Sequence, residues 1–167
     1  MKTISRTATY PFAPDIVFQC LDNLGVTGMH MTQSSMMMMG SKLDLNFLTE
    51  NHTGLGTKYK WTGKMMGMKM DFTVEVTKWI SGEKKTWETI GNPKLIIYSW
   101  YQMHLLLTKI PIGTASQLSI SYEKPEGIVY EIISFLFAEW YCRWCLKNML
   151  EDSKKILMKN YSMNTLL

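Results

Sequence analysis

Apolar and polar residues alternate with a period of two through most of the first three quarters of the chain. The clearest alternation spans residues 68–77, where one face carries Met68, Met70, Phe72, Val74 and Val76 and the other carries Lys69, Asp71, Thr73, Glu75 and Thr77. A period of two predicts a strand with one buried face. Weaker alternation predicts further strands over residues 2–10, 42–47, 57–64, 84–90, 95–108 and 114–124.

Short turns separate these predicted strands. Gly67, Ser81-Gly82, Gly91-Asn92-Pro93 and Pro111–Gly113 are the turn signals, and no helical pattern lies between them. Consecutive strands joined this way pair as an antiparallel meander, since a parallel crossover needs a longer connection. We therefore expect an antiparallel sheet of about seven strands.

The period changes to that of a helix in the last third of the chain, roughly Gly127 to Lys159. This stretch follows the helix breakers Pro125 and Gly127 and contains no later proline or glycine. A helix of this extent is about 45 Å long at 1.5 Å per residue. It needs a large surface to pack on, and the sheet is the expected surface.

A helical projection separates this segment into three faces. A charged, solvent-facing stripe is formed by Glu139, Arg143, Lys147, Glu151 and Lys155. An uncharged face, predicted to contact the core, is formed by Ala138, Cys142, Cys145, Leu146, Met149 and Ile156. A third, aromatic group is formed by Ile133, Phe137, Trp140, Tyr141 and Trp144. Apolar residues on two sides predict two partners, of which the second is a ligand or a second subunit.

Two short helices are predicted between the first and second strands. Ala13-Pro14-Asp15 begins one that ends near Gly25, and a second leads into the methionine-rich segment Met36–Met39. The fold class is therefore α+β, with a curved antiparallel sheet wrapped around a long C-terminal helix and two short helices after strand 1. We expect residues 1–167 to form a single domain.

Composition narrows the function classes. The chain has 167 residues, 46% hydrophobic and 19% charged, as expected of a globular domain. The terminal helix lacks the ~20 uncharged residues of a membrane span, and Met1–Tyr10 lacks the apolar region of a signal peptide. Three cysteines indicate a reducing compartment and a cytoplasmic location. The net charge of +4 is almost entirely due to lysine, which argues against nucleic acid as a partner.

Candidate catalytic and metal-binding groups are few. Cys142 and Cys145 have CxxC spacing but fall in mid-helix on the core-facing side, so packing explains them better than redox chemistry. His30, His52 and His104 lie in separate predicted elements without paired spacing, so no metal site is expected. His104 is the best candidate for a general base, although a structural histidine is the commoner case.

The order of elements resembles the START-like (helix-grip) superfamily, also called SRPBCC, which includes polyketide cyclase/dehydrase-like proteins. The resemblance rests on the strand followed by Ala13-Pro14-Asp15-Ile16-Val17-Phe18 and Leu21-Asp22, on the loop Gly54-Leu55-Gly56-Thr57, and on the closing helix. It covers nearly the whole chain. The tryptophan that many members carry after the first helix is absent, since Gly28–His30 occupies that place.

The resemblance implies an apolar cavity between the sheet and the long helix, used for lipids or other hydrophobic small molecules, without a cofactor. The alternation is consistent with such a cavity because the inward set is large and aromatic. The expected ligand-binding residues are Tyr59, Trp61, Met70, Phe72, Trp87, Tyr101, His104, Met38 and Trp140, with Met36–Met39 as a cover.

Other functions stay open at this level. One is a cyclase or dehydratase-type enzyme that uses His104 or Tyr101. Another is a protein-interaction module of the heat-shock ATPase activator type. A homodimer through Phe137, Trp140, Tyr141 and Trp144 is also compatible with the sequence.

Overall fold

The computed structural model describes residues 1–32, 42–65 and 67–164, and these form an antiparallel sheet with helices packed on it. The predicted cover Met36–Met39 lies outside the described residues. The strands are β1 (Lys2–Tyr10), β2 (Leu43–Phe47), β3 (Lys58–Met65), β4 (Met68–Ile80), β5 (Lys84–Lys94), β6 (Trp100–Ile110) and β7 (Gly113–Glu123). The helices are α1 (Pro14–Asp22), α2 (Leu24–Thr27), α3 (Met29–Thr32) and α4 (Ile128–Asn164).

The strands of the described residues form one curved seven-stranded sheet in the order β1-β7-β6-β5-β4-β3-β2. The predicted meander from β2 to β7 is confirmed. β1 joins it at the far side by pairing antiparallel with β7, from Lys2 opposite Tyr122 to Tyr10 opposite Thr114. The first and last strands in the chain are therefore neighbours.

The predicted turn at Gly91-Asn92-Pro93 is wrong. β5 continues through these residues to Lys94, and the connection to β6 is 95–99. Opposite them, the β4–β5 register shifts, so that Asp71 pairs with Lys94 while Thr73 pairs with Ile90. A β-bulge thus accommodates the extra residues, with Gly91 in the left-handed region at φ 72°.

The helical segment after β1 is divided at Asn23. α1 ends at Asp22, and the Asn23 side chain accepts a hydrogen bond of 2.8 Å from the Gly25 backbone N–H, which caps α2. Asparagine is a preferred residue at a helix N-terminus for this reason. The predicted helix ending near Gly25 is therefore two helices that meet at a corner.

The faces of α4 largely agree with the projection. Ala138, Cys142 and Leu146 are at most 1% exposed against the sheet, although Ile156 is only half-buried. In the charged stripe, Arg143, Lys147 and Lys155 are exposed and Glu139 and Glu151 are half-buried. Arg143 and Glu139 form an ion pair at 2.7 Å. The Tyr10 hydroxyl also donates to the Leu150 carbonyl at 3.1 Å, which joins β1 to the second half of α4.

The first four turns of α4 leave a large apolar area uncovered, which we call the exposed α4 patch. Its large hydrophobic residues are 40–79% exposed. The patch comprises Ile128, Val129, Tyr130, Ile132, Phe135, Leu136, Phe137 and Trp140. In the described part of the chain, no helix is long and apolar enough to cross a membrane.

Candidate functional site: an apolar cavity between the sheet and the long helix

A cavity of about 80 Å³ lies between the inner face of the sheet and α4, closed at one side by α2 and α3. The strands contribute alternate residues, because only every second side chain of a strand points inward. Among the described residues its lining comprises Leu24, Thr27, Gly28, His30, Met31, Tyr59, Trp61, Met70, Phe72, Lys85, Trp87, Leu95, Tyr98, Tyr101, Met103, Ile120, Tyr141, Cys145 and Met149.

Six of the residues predicted from the alternation line this cavity. They are Tyr59, Trp61, Met70, Phe72, Trp87 and Tyr101, and their part in binding stays a prediction. The aromatic rings pack edge-on, as between Phe72 and Tyr101, whose centroids are 6.0 Å apart. This arrangement is favourable for aromatic pairs and holds the cavity walls in place.

Two predicted residues of the described part of the chain lie outside the cavity. His104 lies between the buried residues Met103 and Leu105 on β6 and therefore points to the opposite face, where its Nδ1 is 2.8 Å from the Thr86 hydroxyl. Burial and the nearby Lys78 and Lys84 lower its pKa. Trp140 is 47% exposed in the exposed α4 patch. Met38 lies outside the described residues.

Glycine at position 28 allows the corner between α2 and α3 to contact the cavity wall. A Cβ there would lie 2.8 Å from Cη2 of Trp61 and 2.7 Å from the Leu24 carbonyl oxygen. Both distances are shorter than carbon and oxygen atoms normally tolerate, so a larger residue would move the corner away. Gly28 is thus a close-packing site.

Lys85 is a buried cation in the lining that the sequence analysis overlooked. It is 3% exposed, and its Nζ lies 2.6 Å from Oδ1 of Asp22 and 5.0 Å from the centre of the Trp87 ring. The Trp79 indole N–H donates to the other carboxylate oxygen of Asp22 at 3.0 Å. Burial lowers the pKa of Lys85, and the Asp22 carboxylate opposes that effect. The pair is electrically balanced and connects α1 to β5.

His30 is the second polar group that the sequence analysis did not place in the cavity. It is 9% exposed and its ring stands edge-on to Trp144 at 5.3 Å between centroids. Burial lowers its pKa to about 4, so the imidazole is neutral at pH 7. Lys85 could have been identified from the sequence, because it is two residues from the inward-facing Trp87 on the same strand. His30 could not, because α3 is a single turn and shows no helical period.

The hydroxyl and thiol groups around the cavity remain protonated at neutral pH. Burial raises the pKa values of Tyr59, Tyr98, Tyr101, Tyr141 and Cys145. The Tyr98 hydroxyl, for example, forms a hydrogen bond with the Cys142 sulfur at 3.1 Å. These side chains can donate hydrogen bonds, but none can act as a base. Within the described residues, no group of three or more His, Cys, Asp or Glu could hold a metal ion.

Comparison with solved structures identifies the fold. The chain superimposes on a protein of Thermus thermophilus, TTHA0849, with a TM-score of 0.70 at 14% identity, covering 95% of this chain and 99% of that one. It superimposes on the Zhui aromatase/cyclase of Streptomyces sp. R1128 with a TM-score of 0.72 at 9% identity, covering 96% and 95%. The chain has the helix-grip fold.

A third helix-grip structure, Ara h 8.0201, matches with a TM-score of 0.60 at 12% identity over 95% of this chain and 98% of that one. No protein-family model matches the sequence, and comparison with curated proteins finds no match. At these identities the likeness establishes the helix-grip fold, including the curved sheet and the long helix, and leaves the ligand to be argued from the cavity.

Proposed function

We propose that this protein is a single helix-grip domain that binds a hydrophobic small molecule or lipid in the cavity between the sheet and α4. The observation that carries the proposal is the lining, which is mostly aromatic, aliphatic and methionine side chains with few polar groups. Such surfaces bind apolar molecules, and the few polar groups orient them. The resemblance to START-like proteins supports the same conclusion.

The size of the cavity limits the ligand. Its 80 Å³ is about half of the ~150 Å³ that admits benzene in an engineered apolar cavity. A ring-sized ligand therefore requires some lining side chains to change rotamer. Met31, Met70, Met103 and Met149 are suited to this, because methionine is unbranched and adapts its shape at small energetic cost.

Native mass spectrometry of protein purified from its own host, followed by organic extraction, tests the proposal. We expect an apolar compound bound at no more than one per chain. Cys145→Leu, which adds bulk at the cavity wall, should reduce its occupancy. Cys20→Leu is the matched control, since Cys20 is buried but does not line the cavity. Equal occupancy in both variants would place the ligand elsewhere.

An aromatase/cyclase-type activity is the second candidate. It is favoured by the similarity to the Zhui aromatase/cyclase and by the presence of Tyr101, a hydrogen-bond donor, in the cavity wall. His104, the other residue considered for this role, faces away from the cavity. Because the cavity is small for a polyketide-sized substrate, we favour binding over this activity. If Tyr101→Phe abolished turnover and left ligand affinity unchanged, the enzymatic function would be favoured over binding alone.

We also propose that the exposed α4 patch forms a homodimer interface. Contiguous apolar side chains of this extent usually mark an interaction site. Its surroundings carry both signs of charge, with Lys124 beside the Phe135 ring and the exposed carboxylates Glu126 and Glu131. Mixed charge suits a two-fold contact between identical surfaces, whereas the carboxylates disfavour anionic lipid. Of the residues predicted for a dimer, Phe137 and Trp140 belong to the patch, while Tyr141 and Trp144 are half-buried.

The three buried, free cysteines support a reducing compartment, and we propose the cytoplasm. The balance of lysine over arginine supports the absence of nucleic acid among the partners.

A further inference from the structure

The imidazole of His30 has an unusual position for a polar ring. It belongs to α3, it is 9% exposed, and it forms part of an otherwise mainly apolar cavity wall. Among the described residues, neither Nδ1 nor Nε2 has a hydrogen-bond partner of normal geometry. A buried polar group left in this state destabilises the folded protein, so such groups are rare.

One of the two ring nitrogens has a weak interaction. The backbone of Thr27, three residues earlier, is close enough to oppose the effect of burial on the pKa of His30. A backbone carbonyl accepts only from a ring N–H. A neutral imidazole has one N–H donor and one bare nitrogen acceptor. If the N–H is directed toward Thr27, the group without a partner is the acceptor.

Lys85, the charged group in the cavity wall, does not supply the missing hydrogen-bond donor. The Lys85 ammonium is held at 2.6 Å from Asp22, and Asp22 also accepts from Trp79. The pair leaves no net charge in the cavity with which to attract an anion. A ligand that fits both conditions is uncharged and carries a hydrogen-bond donor.

We propose that His30 is the specificity-determining residue of the cavity and that its bare ring nitrogen accepts a hydrogen bond from a hydroxyl or N–H group of a small, uncharged, ring-sized ligand. This inference rests on the proposed function, since it concerns the same cavity. The small volume limits the ligand to about one ring, which fits once methionine side chains change rotamer. The aromatic walls favour an apolar body, and His30 provides the polar contact.

Phenol and toluene are the probes for a test, because they differ only in a hydroxyl against a methyl group. Their dissociation constants are measured by calorimetry or NMR titration for wild type, His30→Phe and His52→Phe. Phenylalanine keeps the ring shape and removes both nitrogens. His52 is the matched control, since it is exposed, stacks on Phe47 and lies outside the cavity.

We expect the preference for phenol over toluene to fall by about tenfold or more in His30→Phe, because the buried hydroxyl then lacks an acceptor. It should be unchanged in His52→Phe. An unchanged preference in His30→Phe, with both probes still bound, would overturn the role of His30 and leave the proposed function intact. Failure of wild type to bind either probe would instead contradict the proposed function for ring-sized ligands.

A second measurement does not depend on the variant folding. In wild-type protein labelled with ¹⁵N, phenol should shift the unprotonated ring nitrogen of His30 in the direction of hydrogen bonding, and toluene should not. Benzoate adds a further control. If benzoate binds more tightly than phenol, Lys85 is the polar contact of the cavity and the inference is wrong.

Discussion

At the scale of the residue, His30 makes folding stability depend on pH. Its pKa is lowered from 6.5 to about 4 in the folded protein, so between these values the unfolded chain binds more protons than the folded one. The contribution of His30 to the free energy of unfolding is therefore fully present above about pH 6.5 and is lost as the pH falls toward 4. The decrease assigned to this residue is at most about 3 kcal/mol.

Chemical denaturation of wild type and His30→Phe between pH 7 and pH 4 measures this contribution. The variant should lose less stability on acidification than wild type, and His52→Phe should resemble wild type. The tyrosines and Cys145 around the cavity keep their protons in this range, because burial raises their pKa values. Parallel curves for wild type and His30→Phe would mean that His30 is protonated or solvated in the folded state.

Lys85 provides a second prediction at this scale. Lys85→Met would leave the buried Asp22 carboxylate without its cation, which typically costs about 3–5 kcal/mol of unfolding free energy. Lys60→Met is the control, because the Lys60–Asp71 pair is 36% and 46% exposed and should contribute about 1 kcal/mol or less. Urea unfolding compares the two. Adding Asp22→Asn to Lys85→Met should restore part of the loss, and a loss in Lys85→Met no larger than in Lys60→Met would contradict the account.

Strand parity predicted many of these residues, and its failures have physical reasons. The inward positions of Tyr59, Trp61 and Phe72 follow from alternation alone. In β6 apolar residues occur on both faces, so alternation could not orient His104. Lys85 was overlooked, because lysine in a strand is usually exposed and the partner that compensates its burial, Asp22, is 63 residues away in the chain.

At the scale of the element, the turn between β6 and β7 requires glycine at position 113, where β7 begins. Gly113 has φ 135°, and a Cβ there would lie 2.0 Å from the Tyr10 carbonyl oxygen and 2.9 Å from Cα of Pro11. The hairpin thus packs directly on the end of β1. Gly113→Ala should destabilise through the left-handed backbone conformation and, in addition, by about 1–3 kcal/mol through overpacking.

Gly91→Ala separates the two effects. Gly91 also has a positive φ, 72°, but an added Cβ meets nothing within 4 Å. Thermal unfolding should show the smaller loss for Gly91→Ala and the larger for Gly113→Ala. Equal losses would mean that the chain around Tyr10 and Pro11 moves aside readily.

Most elements could be predicted from the sequence because their periods are long and regular. The strand 68–77 and the terminal helix are of this kind. The bulge at 91–93 could not be predicted, since glycine and proline usually indicate a turn and only the register against β4 decides otherwise. The division of the first helix at Asn23 likewise depends on a local cap.

At the scale of the whole molecule, the exposed α4 patch should control self-association. Replacing both Phe135 and Leu136, 76% and 60% exposed, by lysine should shift sedimentation toward monomer with little change in thermal stability. Ile112→Lys is the control, because Ile112 is 76% exposed at the β6–β7 turn, away from α4. A wild type that is monomeric at high concentration would contradict the homodimer proposal.

The helix-grip fold could be predicted from element order because few folds place a long helix after a six-strand meander. The ligand could not be predicted, since it depends on how completely large side chains fill the space between the sheet and α4. The volume of that space is the small difference between the volume enclosed by the backbone and the volume of the side chains that fill it. Strand parity tells which way a side chain points, but not how much of the space it fills.

Binding in the cavity is tested most directly by titrating toluene into protein labelled with ¹³C at its methionine methyl groups. Met31, Met70, Met103 and Met149 line the cavity, whereas Met1 and Met158 are 87% and 47% exposed and serve as internal controls. We predict saturable shifts at the four cavity methyls and none at the two exposed ones. Absence of saturable shifts at the cavity methyls, or shifts confined to the exposed ones, would contradict the proposal that this cavity binds apolar molecules.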